Sequence, residues 1–266
     1  MRRIAHQIRS LRKRYLLCGT FLLGLTSLLG CSSSMYGWQV RTHSTELPPS
    51  LRPSQFEKQP VALFTAITLP ALKGNEVSLA DYLVDILRKV VPNWRVIPPQ
   101  ETATRINTQG LTPDYAMMRE MYETTHILNR DTLRKIGRAI GARYVFQPRL
   151  AAFSQTMTER WKFPGLEVRM AETRSSLMRM SLHLWDVDTG ELLWTSTAET
   201  TMQSEAVSED PIYLEDIARA TLGSIIADFL NRRTSSKYTS LNKFLDSLVK
   251  ESMPEEKPRK PEAAEQ

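Results

Sequence analysis

The sequence predicts an α/β fold with a mixed β-sheet flanked by helices, and three observations support this prediction. Short apolar runs alternate with helical patterns in the first half of the chain. Antiparallel meander hairpins follow in the second half, with turn signals at 164–165 and 188–190. An amphipathic helix over about 214–229 closes the pattern. The chain therefore contains one medium-sized domain, which we place at residues 60–232.

The first half of the domain alternates strand and helix candidates. Each apolar run is short enough for a buried strand, and each helical pattern repeats apolar side chains every three or four residues. The predicted strands are 61–67 and 95–97, and the predicted helices are 79–90, 100–107 and 113–124. The stretch RDTLRKIGRAIGARYVF predicts a further helix that begins at Asp131 and ends at Gly141, followed directly by a strand.

The second half predicts three long antiparallel strands. Two of them, 144–162 and 167–186, flank the Phe163-Pro164-Gly165-Leu166 turn, and the third covers 192–202. Pro148 falls inside the first strand, and proline has no N–H to donate to a neighbouring strand. We therefore expect an edge position or a β-bulge there.

The N-terminus has the pattern of an exported lipoprotein. Six basic and no acidic residues precede an apolar run that ends near Leu29, which is too short to span a membrane and is typical of a signal peptide. The following Leu28-Leu29-Gly30-Cys31 resembles a bacterial lipobox, in which Cys31 is acylated after residues 1–30 are removed. An ordinary signal cleaved near Gly30 would instead leave a free thiol. Residues 31–59 are proline-bearing and polar, and we predict a flexible lipidated tether there.

The charge of the chain is concentrated in its leader. The full chain has 35 basic and 29 acidic residues, and removing the six basic residues of 1–30 leaves 29 of each. The net charge of the predicted mature chain is therefore zero, and the basic isoelectric point gives no support to a nucleic-acid surface. With Cys18 removed and Cys31 acylated, no cysteine remains for a disulfide or a metal site.

Catalytic and metal-binding patterns are missing from the sequence. It contains no phosphate-binding glycine loop, nucleophile elbow or paired-histidine zinc motif. His43, His126 and His183 are far apart, and we predict that His183 is a satisfied surface residue on a strand. The Asp186–Gly190 stretch lacks the spacing of a calcium loop and occurs only once, so we interpret it as a tight turn rather than a propeller blade. We expect no enzyme, no cofactor and no metal.

Two apolar groups are candidates for protein contacts. Trp161 and Phe163 lie in the hairpin over 153–176, where they either anchor a partner or cover the edge of the domain's own core. The charges around them argue against insertion of this hairpin into a membrane. In the C-terminal segment 233–266 a short helix is predicted, with a stripe that docks on its own domain or binds a partner. Its apolar residues are Leu241, Phe244, Leu245, Leu248 and Val249, and a charged tail predicted to be disordered follows from Pro254.

The order of these elements resembles the curli-secretion lipoprotein family (CsgG-like). The resemblance rests on the helix LRKIGRAIGARYVF, the long polar hairpin, the strand pair LHLWDVDTGELLWTSTAET and the closing amphipathic helix. The same fold class contains penicillin-binding-protein activators and an exopolysaccharide-export lipoprotein. The resemblance implies a domain on the periplasmic face of the outer membrane, held by the lipid on Cys31. It also implies a non-enzymatic scaffold or regulator with an envelope protein partner or self-association, or alternatively an oligomeric secretion channel.

Overall fold

The computed structural model describes residues 35–159, 162–163, 166–169, 172–206 and 212–240. Helices and strands alternate up to β4, and antiparallel strands follow, as the sequence predicts. The strands are β1 (Met35–Ser44), β2 (Val61–Leu63), β3 (Val96–Ile97), β4 (Tyr144–Glu159), β5 (Lys162–Phe163), β6 (Leu166–Arg169), β7 (Glu172–Asp186), β8 (Leu192–Ala206) and β9 (Ser235–Ser240). The helices are α1 (Gln55–Lys58), α2 (Glu76–Val90), α3 (Pro99–Thr108), α4 (Thr112–Thr125), α5 (Arg130–Ile140) and α6 (Leu214–Asn231), with a 3₁₀ turn at Pro70–Leu72.

Seven of these strands form one mixed sheet. Their order across it is β3-β2-β4-β7-β8-β1-β9. β2 is parallel to β3 and β4, and every later neighbour pair is antiparallel. The short strands β5 and β6 pair with each other outside this sheet. The predicted fold class, a mixed sheet with flanking helices, is confirmed.

The helices cover the two faces of the sheet unequally. On one face α2 and α6 pack across the sheet from β2 to β1 and build the larger core. On the other face α3, α4 and α5 cover β3, β2, β4 and the last residues of β7. The remainder of that second face has no helix over it among the described residues. None of the helices in the described residues is both long and apolar enough to cross a membrane.

The predicted tether over 31–59 is wrong from Met35 onward. Residues 35–44 form β1, which pairs along its whole length with β8. Its inward positions Trp38, Val40, Thr42 and Ser44 are buried, but two of these four are polar, so the sequence shows no apolar alternation. The folded domain therefore begins before residue 60, and only residues 31–34 of the predicted tether lie outside the described residues.

The short helix α1 also belongs to the core rather than to a tether. Phe56 on this helix is completely buried. Its ring contacts those of Trp94, Tyr144 and Phe229, with centroid distances of 4.4, 4.9 and 5.9 Å. Aromatic contacts of this kind contribute beyond the burial of their area, so α1 is fixed to the sheet and to α6.

The long hairpin follows the predicted strands with different ends. β4 ends at Glu159 instead of residue 162, and β7 begins at Glu172 instead of residue 167, because β5 and β6 form a separate pair between them. The Pro164-Gly165 turn lies outside the described residues. β8 continues to Ala206, four residues beyond its predicted end.

Pro148 lies in a central strand, so the predicted edge position is wrong. Its carbonyl accepts from Ile67 N at 3.0 Å, which shows that its nitrogen faces the β2 side of β4. The N–H that proline lacks would have pointed to Thr65 O, and Gln147 Nε2 donates to that oxygen at 3.1 Å instead. The expected irregularity is present nearby as a register shift between Leu150 and Ala152.

A buried carboxylate joins the last strand to the closing helix. Asp228 on α6 is fully buried and accepts hydrogen bonds from Thr42 Oγ1 on β1 and from Ser236 Oγ (2.7 Å) and Tyr238 OH (2.6 Å) on β9. Burial, together with the hydrogen bond to Asp228, raises the pKa of Tyr238 to about 12. Residues 235–240 are therefore a strand of the sheet, and the folded domain extends beyond its predicted end at residue 232.

We expect Tyr238→Phe to lower the free energy of unfolding by about 2 kcal/mol, because a hydrogen bond to a charged group is lost. Thr239→Val is the matched control, since Thr239 is exposed on the opposite side of the same strand. Its effect should stay within about 0.5 kcal/mol. Denaturant unfolding of the domain measures both, and equal effects of the two variants would contradict the role given to Asp228.

Candidate functional site: the open face of the sheet

Most residues predicted to form sites lie outside the described part of the chain. These are Cys31, Trp161, Leu241, Phe244, Leu245 and Leu248. Phe163 lies in β5, and its side chain is not described. The lipidation of Cys31 and the contacts of the other residues therefore stay predictions.

The Asp186–Gly190 stretch is a tight turn between β7 and β8, as predicted. Asp186 Oδ1 accepts from the backbone N–H groups of Asp188 (2.8 Å) and Thr189 (3.0 Å). Gly190 has a φ of 73° and donates to Asp186 O at 2.9 Å. Asp186 thus closes the turn with its own carboxylate, which is the behaviour of an Asx turn.

Two arginines take the remaining acceptors of this turn. Arg143 pairs with Asp186 Oδ2 at 2.7 Å and also with Asp188, while Arg134 Nη2 donates to Asp188 O at 2.6 Å. Groups of acidic, histidine or cysteine side chains able to hold a metal ion are absent from the described residues. Trp185 and Trp194, on the two arms, are both buried, each against a different core. The geometry is that of a turn that fixes α5 to the sheet.

We expect Gly190→Val to destabilise the fold more than the same change at Gly110. Both glycines have positive φ, 73° and 68°, so each variant carries a backbone cost of about 1–2 kcal/mol. Gly110 faces open space, whereas a Cβ at Gly190 would overlap Arg130 Cγ and add about 1–3 kcal/mol. Thermal or denaturant unfolding of the two variants measures the difference, and equal costs would contradict the contact with Arg130.

His183 is not the surface residue that the sequence predicts. Its Nδ1 lies 2.7 Å from Tyr122 OH, so α4 covers it and gives it a hydrogen-bond partner. Burial, with smaller contributions from His126 and Arg149, lowers the pKa of His183 to about 4. Burial likewise raises the pKa of Tyr122. The pair is a structural contact between α4 and β7 with a neutral imidazole at neutral pH.

This contact predicts a loss of stability on acidification. The folded-state pKa of His183 (about 4) lies below its unfolded value of 6.5, so below pH 6.5 the unfolded chain binds a proton that the folded chain does not. Stability should therefore fall as the pH drops from about 6.5 to about 4, by up to about 3 kcal/mol. The free energy of unfolding, measured as a function of pH, should show this slope in the native protein. The slope should be absent in His183→Gln. An unchanged slope in that variant would contradict the assignment.

The open face is the side of β4, β7, β8, β1 and β9 that no described helix covers. Alternate residues of each strand point to this side, and the strand register places them in rows across the sheet. The central row is Ala152, Arg179, Glu199, Arg41 and Lys237. The flanking rows are Arg149, Ser181, Thr197, His43 and Ser235, and then Ser154, Leu177, Thr201, Gln39 and Thr239. Five strands at about 4.8 Å spacing give a row about 19 Å long.

Most side chains in these rows are polar, and their charges are mostly positive. In these three rows, Arg149, Arg179, Arg41 and Lys237 are four bases against one acid, Glu199, to which Arg179 Nε donates at 3.0 Å. Antiparallel sheets often have one solvated face, so polarity alone is unremarkable. An excess of three positive charges in these rows is informative because the chain from residue 31 has equal numbers of bases and acids. The face is suited to contact with an acidic surface.

The open face could be predicted only in part from the sequence. The predicted strand 192–202 alternates Thr195, Thr197, Glu199 and Thr201 with buried positions, which indicates one solvated side. The width of the face depends on β1 and β9, which the sequence does not reveal as strands. Arg41 and Lys237 consequently had no predicted neighbours.

No protein-family model matches this chain, and no curated protein matches it either. Among solved structures, it is similar to the PelC dodecamer from Paraburkholderia phytofirmans, with a TM-score of 0.39 and 14% identity over 70% of this chain and 94% of that one.

Two further structures are similar to this chain. The LpoB C-terminal domain from Salmonella enterica has a TM-score of 0.32 and 16% identity over 53% of this chain and 81% of that domain. Lipoprotein GNA1162 from Neisseria meningitidis has a TM-score of 0.33 and 13% identity over 65% of this chain and 96% of that one. All three similarities are weak, with identities of at most 16%.

Proposed function

We propose that this protein is a lipid-anchored, non-enzymatic scaffold or regulator of the bacterial cell envelope that binds an acidic protein surface through the open face. The anchor is the lipid on Cys31, and the location is the periplasmic face of the outer membrane. The lipobox and its preceding basic and apolar segments support the anchor. The resemblance to the CsgG-like family supports the envelope role at the level of sequence pattern.

The observation that carries the binding role is the excess of bases on the open face. An uncovered sheet face about 19 Å across offers a flat surface of the scale that protein partners use. Its exposed charges Arg41 and Lys237 would steer an acidic partner and favour it over a basic one. Glu199, paired with Arg179, fixes one of the remaining arginines in place.

The chemistry of the face favours a protein partner over a glycan or a nucleic acid. Among its described side chains there is no tryptophan, tyrosine or phenylalanine on which a base could stack, and an aromatic platform for a sugar ring is missing for the same reason. Its many Ser and Thr hydroxyls both donate and accept, which suits the mixed polar rim of a protein interface.

The alternative function is an oligomeric secretion channel of the curli-export type. The observation that favours it is the end of β4, where residues 154–158 are exposed on both faces of the strand. In a channel this hairpin would contact neighbouring copies of the same chain. In the scaffold it would not need to.

We expect a photoreactive amino acid at Thr239, on the open face, to capture an envelope protein in whole cells, whereas one at Arg88 on α2 should not. Reversing Arg41 and Lys237 together to glutamate should lower the capture at Thr239 roughly tenfold, equivalent to about 1.4 kcal/mol. The control reverses Lys73 and Arg88, which are exposed outside the open face and change the net charge equally.

The identity of the captured chain separates the two functions. Capture of a different, acidic protein that the open-face reversal lowers and the control reversal leaves intact supports the scaffold. Capture of further copies of this chain supports the channel. Equal losses in both reversal variants would contradict the role of the open face.

A further inference from the structure

The start of β1 places the domain very close to its anchor. Met35 is the first residue of β1, and Cys31 precedes it by only four positions. A fully extended chain covers at most about 3.6 Å per residue, so Met35 lies within about 14 Å of the Cys31 backbone. A tether of 29 residues, as residues 31–59 would have been, gives no such restraint because its full extension is about 100 Å.

Several strand ends lie at the same end of the sheet as Met35. Met35 pairs with Glu205, and Glu172 pairs with both Ala206 and Glu159. Ser240, the last residue of β9, pairs with Trp38 three residues further along β1. We call this end of the sheet the anchor end, defined by the strand termini at residues 35, 159, 172, 206 and 240.

The opposite end of the sheet, the distal end, is defined by the Asp186–Gly190 turn and by Ser44. β8 connects the two ends with 15 residues, and the 14 steps between them, at about 3.3 Å each, give about 46 Å. The reach of about 14 Å from Met35 to Cys31 is much shorter than this length, so Cys31 stays near the anchor end and cannot reach the distal end.

We infer that the domain stands with its anchor end on the phospholipid headgroups and its distal turn directed away from the membrane. The inference rests on the proposed lipidation of Cys31 and adds to it the surface that meets the bilayer. The link between β4 and β7, residues 160–171, leaves from this same end. Its sequence has three bases, one acid and five large apolar residues, a composition suited to the interface of an anionic membrane.

In this orientation the open face stands upright on the membrane. The strands run from the lipid surface outward, so the rows of the open face lie at increasing heights above the membrane. A partner on this face approaches from the side, parallel to the bilayer. Arg41, six residues along β1 from Met35, would lie about 20 Å beyond the anchor end.

The test uses single cysteines in the full lipidated protein, reconstituted in phospholipid vesicles. The predicted mature chain has no free thiol, because Cys18 is removed and Cys31 is acylated, so an introduced cysteine carries the only fluorophore. Met157→Cys reports on the anchor end, Glu191→Cys on the distal end and His43→Cys on the distal half of the open face. All three side chains are exposed.

A quencher attached to the lipid headgroups should suppress the fluorescence at Met157→Cys and leave Glu191→Cys and His43→Cys unchanged. The same labels in a Cys31→Ala background give the unquenched baseline. Quenching at Glu191→Cys as strong as at Met157→Cys would overturn the orientation. Quenching at His43→Cys would show that the domain lies on its open face and would overturn it as well.

The outcome also distinguishes this inference from the proposed function. If the wild-type chain does not float with vesicles and behaves like Cys31→Ala, the lipid anchor is wrong and both proposals fail. If it floats but the three labels are quenched equally, only the orientation fails. Flotation with quenching confined to Met157→Cys supports both.

Discussion

The carboxylate of Asp228 is the interaction on which the second half of the sheet depends. It lies on α6 and accepts hydrogen bonds from hydroxyls on β1 and β9, two strands that are almost 200 residues apart in sequence. A buried carboxylate without these donors would be strongly destabilising, so the strands and the helix are required to form together. The position of β1 in turn fixes both the width of the open face and the short distance to Cys31.

Part of this fold could be predicted from residues alone. α2, α5 and α6 have regular apolar spacing, and the glycines at 141 and 190 end a helix and a turn in left-handed geometry, as expected. β1 and β9 could not be predicted, because their inward positions include polar residues such as Thr42 and Ser44, whose partners Asp228 and Ser196 are remote in sequence. A polar residue that is buried through a distant carboxylate or hydroxyl has the same appearance in sequence as a linker residue.

Local rules also failed where a distant group supplied the missing interaction. Pro148 is tolerated in a central strand because the side chain of Gln147 donates to Thr65 O in place of the missing N–H. His183 is half-buried because Tyr122 on α4 covers it and hydrogen-bonds to its ring. The open face was missed for the same reason, since its cluster of bases draws on β4, β7, β1 and β9.

We propose above all that an anchored α/β domain works through electrostatic contact at its open face. The most direct measurement is the salt dependence of crosslinking from Thr239 in isolated membranes. Exposed charges are screened over about 10 Å at 0.1 M salt and about 3 Å at 1 M, so capture should fall steeply across this range. Capture that is independent of salt would contradict the claim, because it would show that the partner is held by apolar contacts elsewhere on the protein.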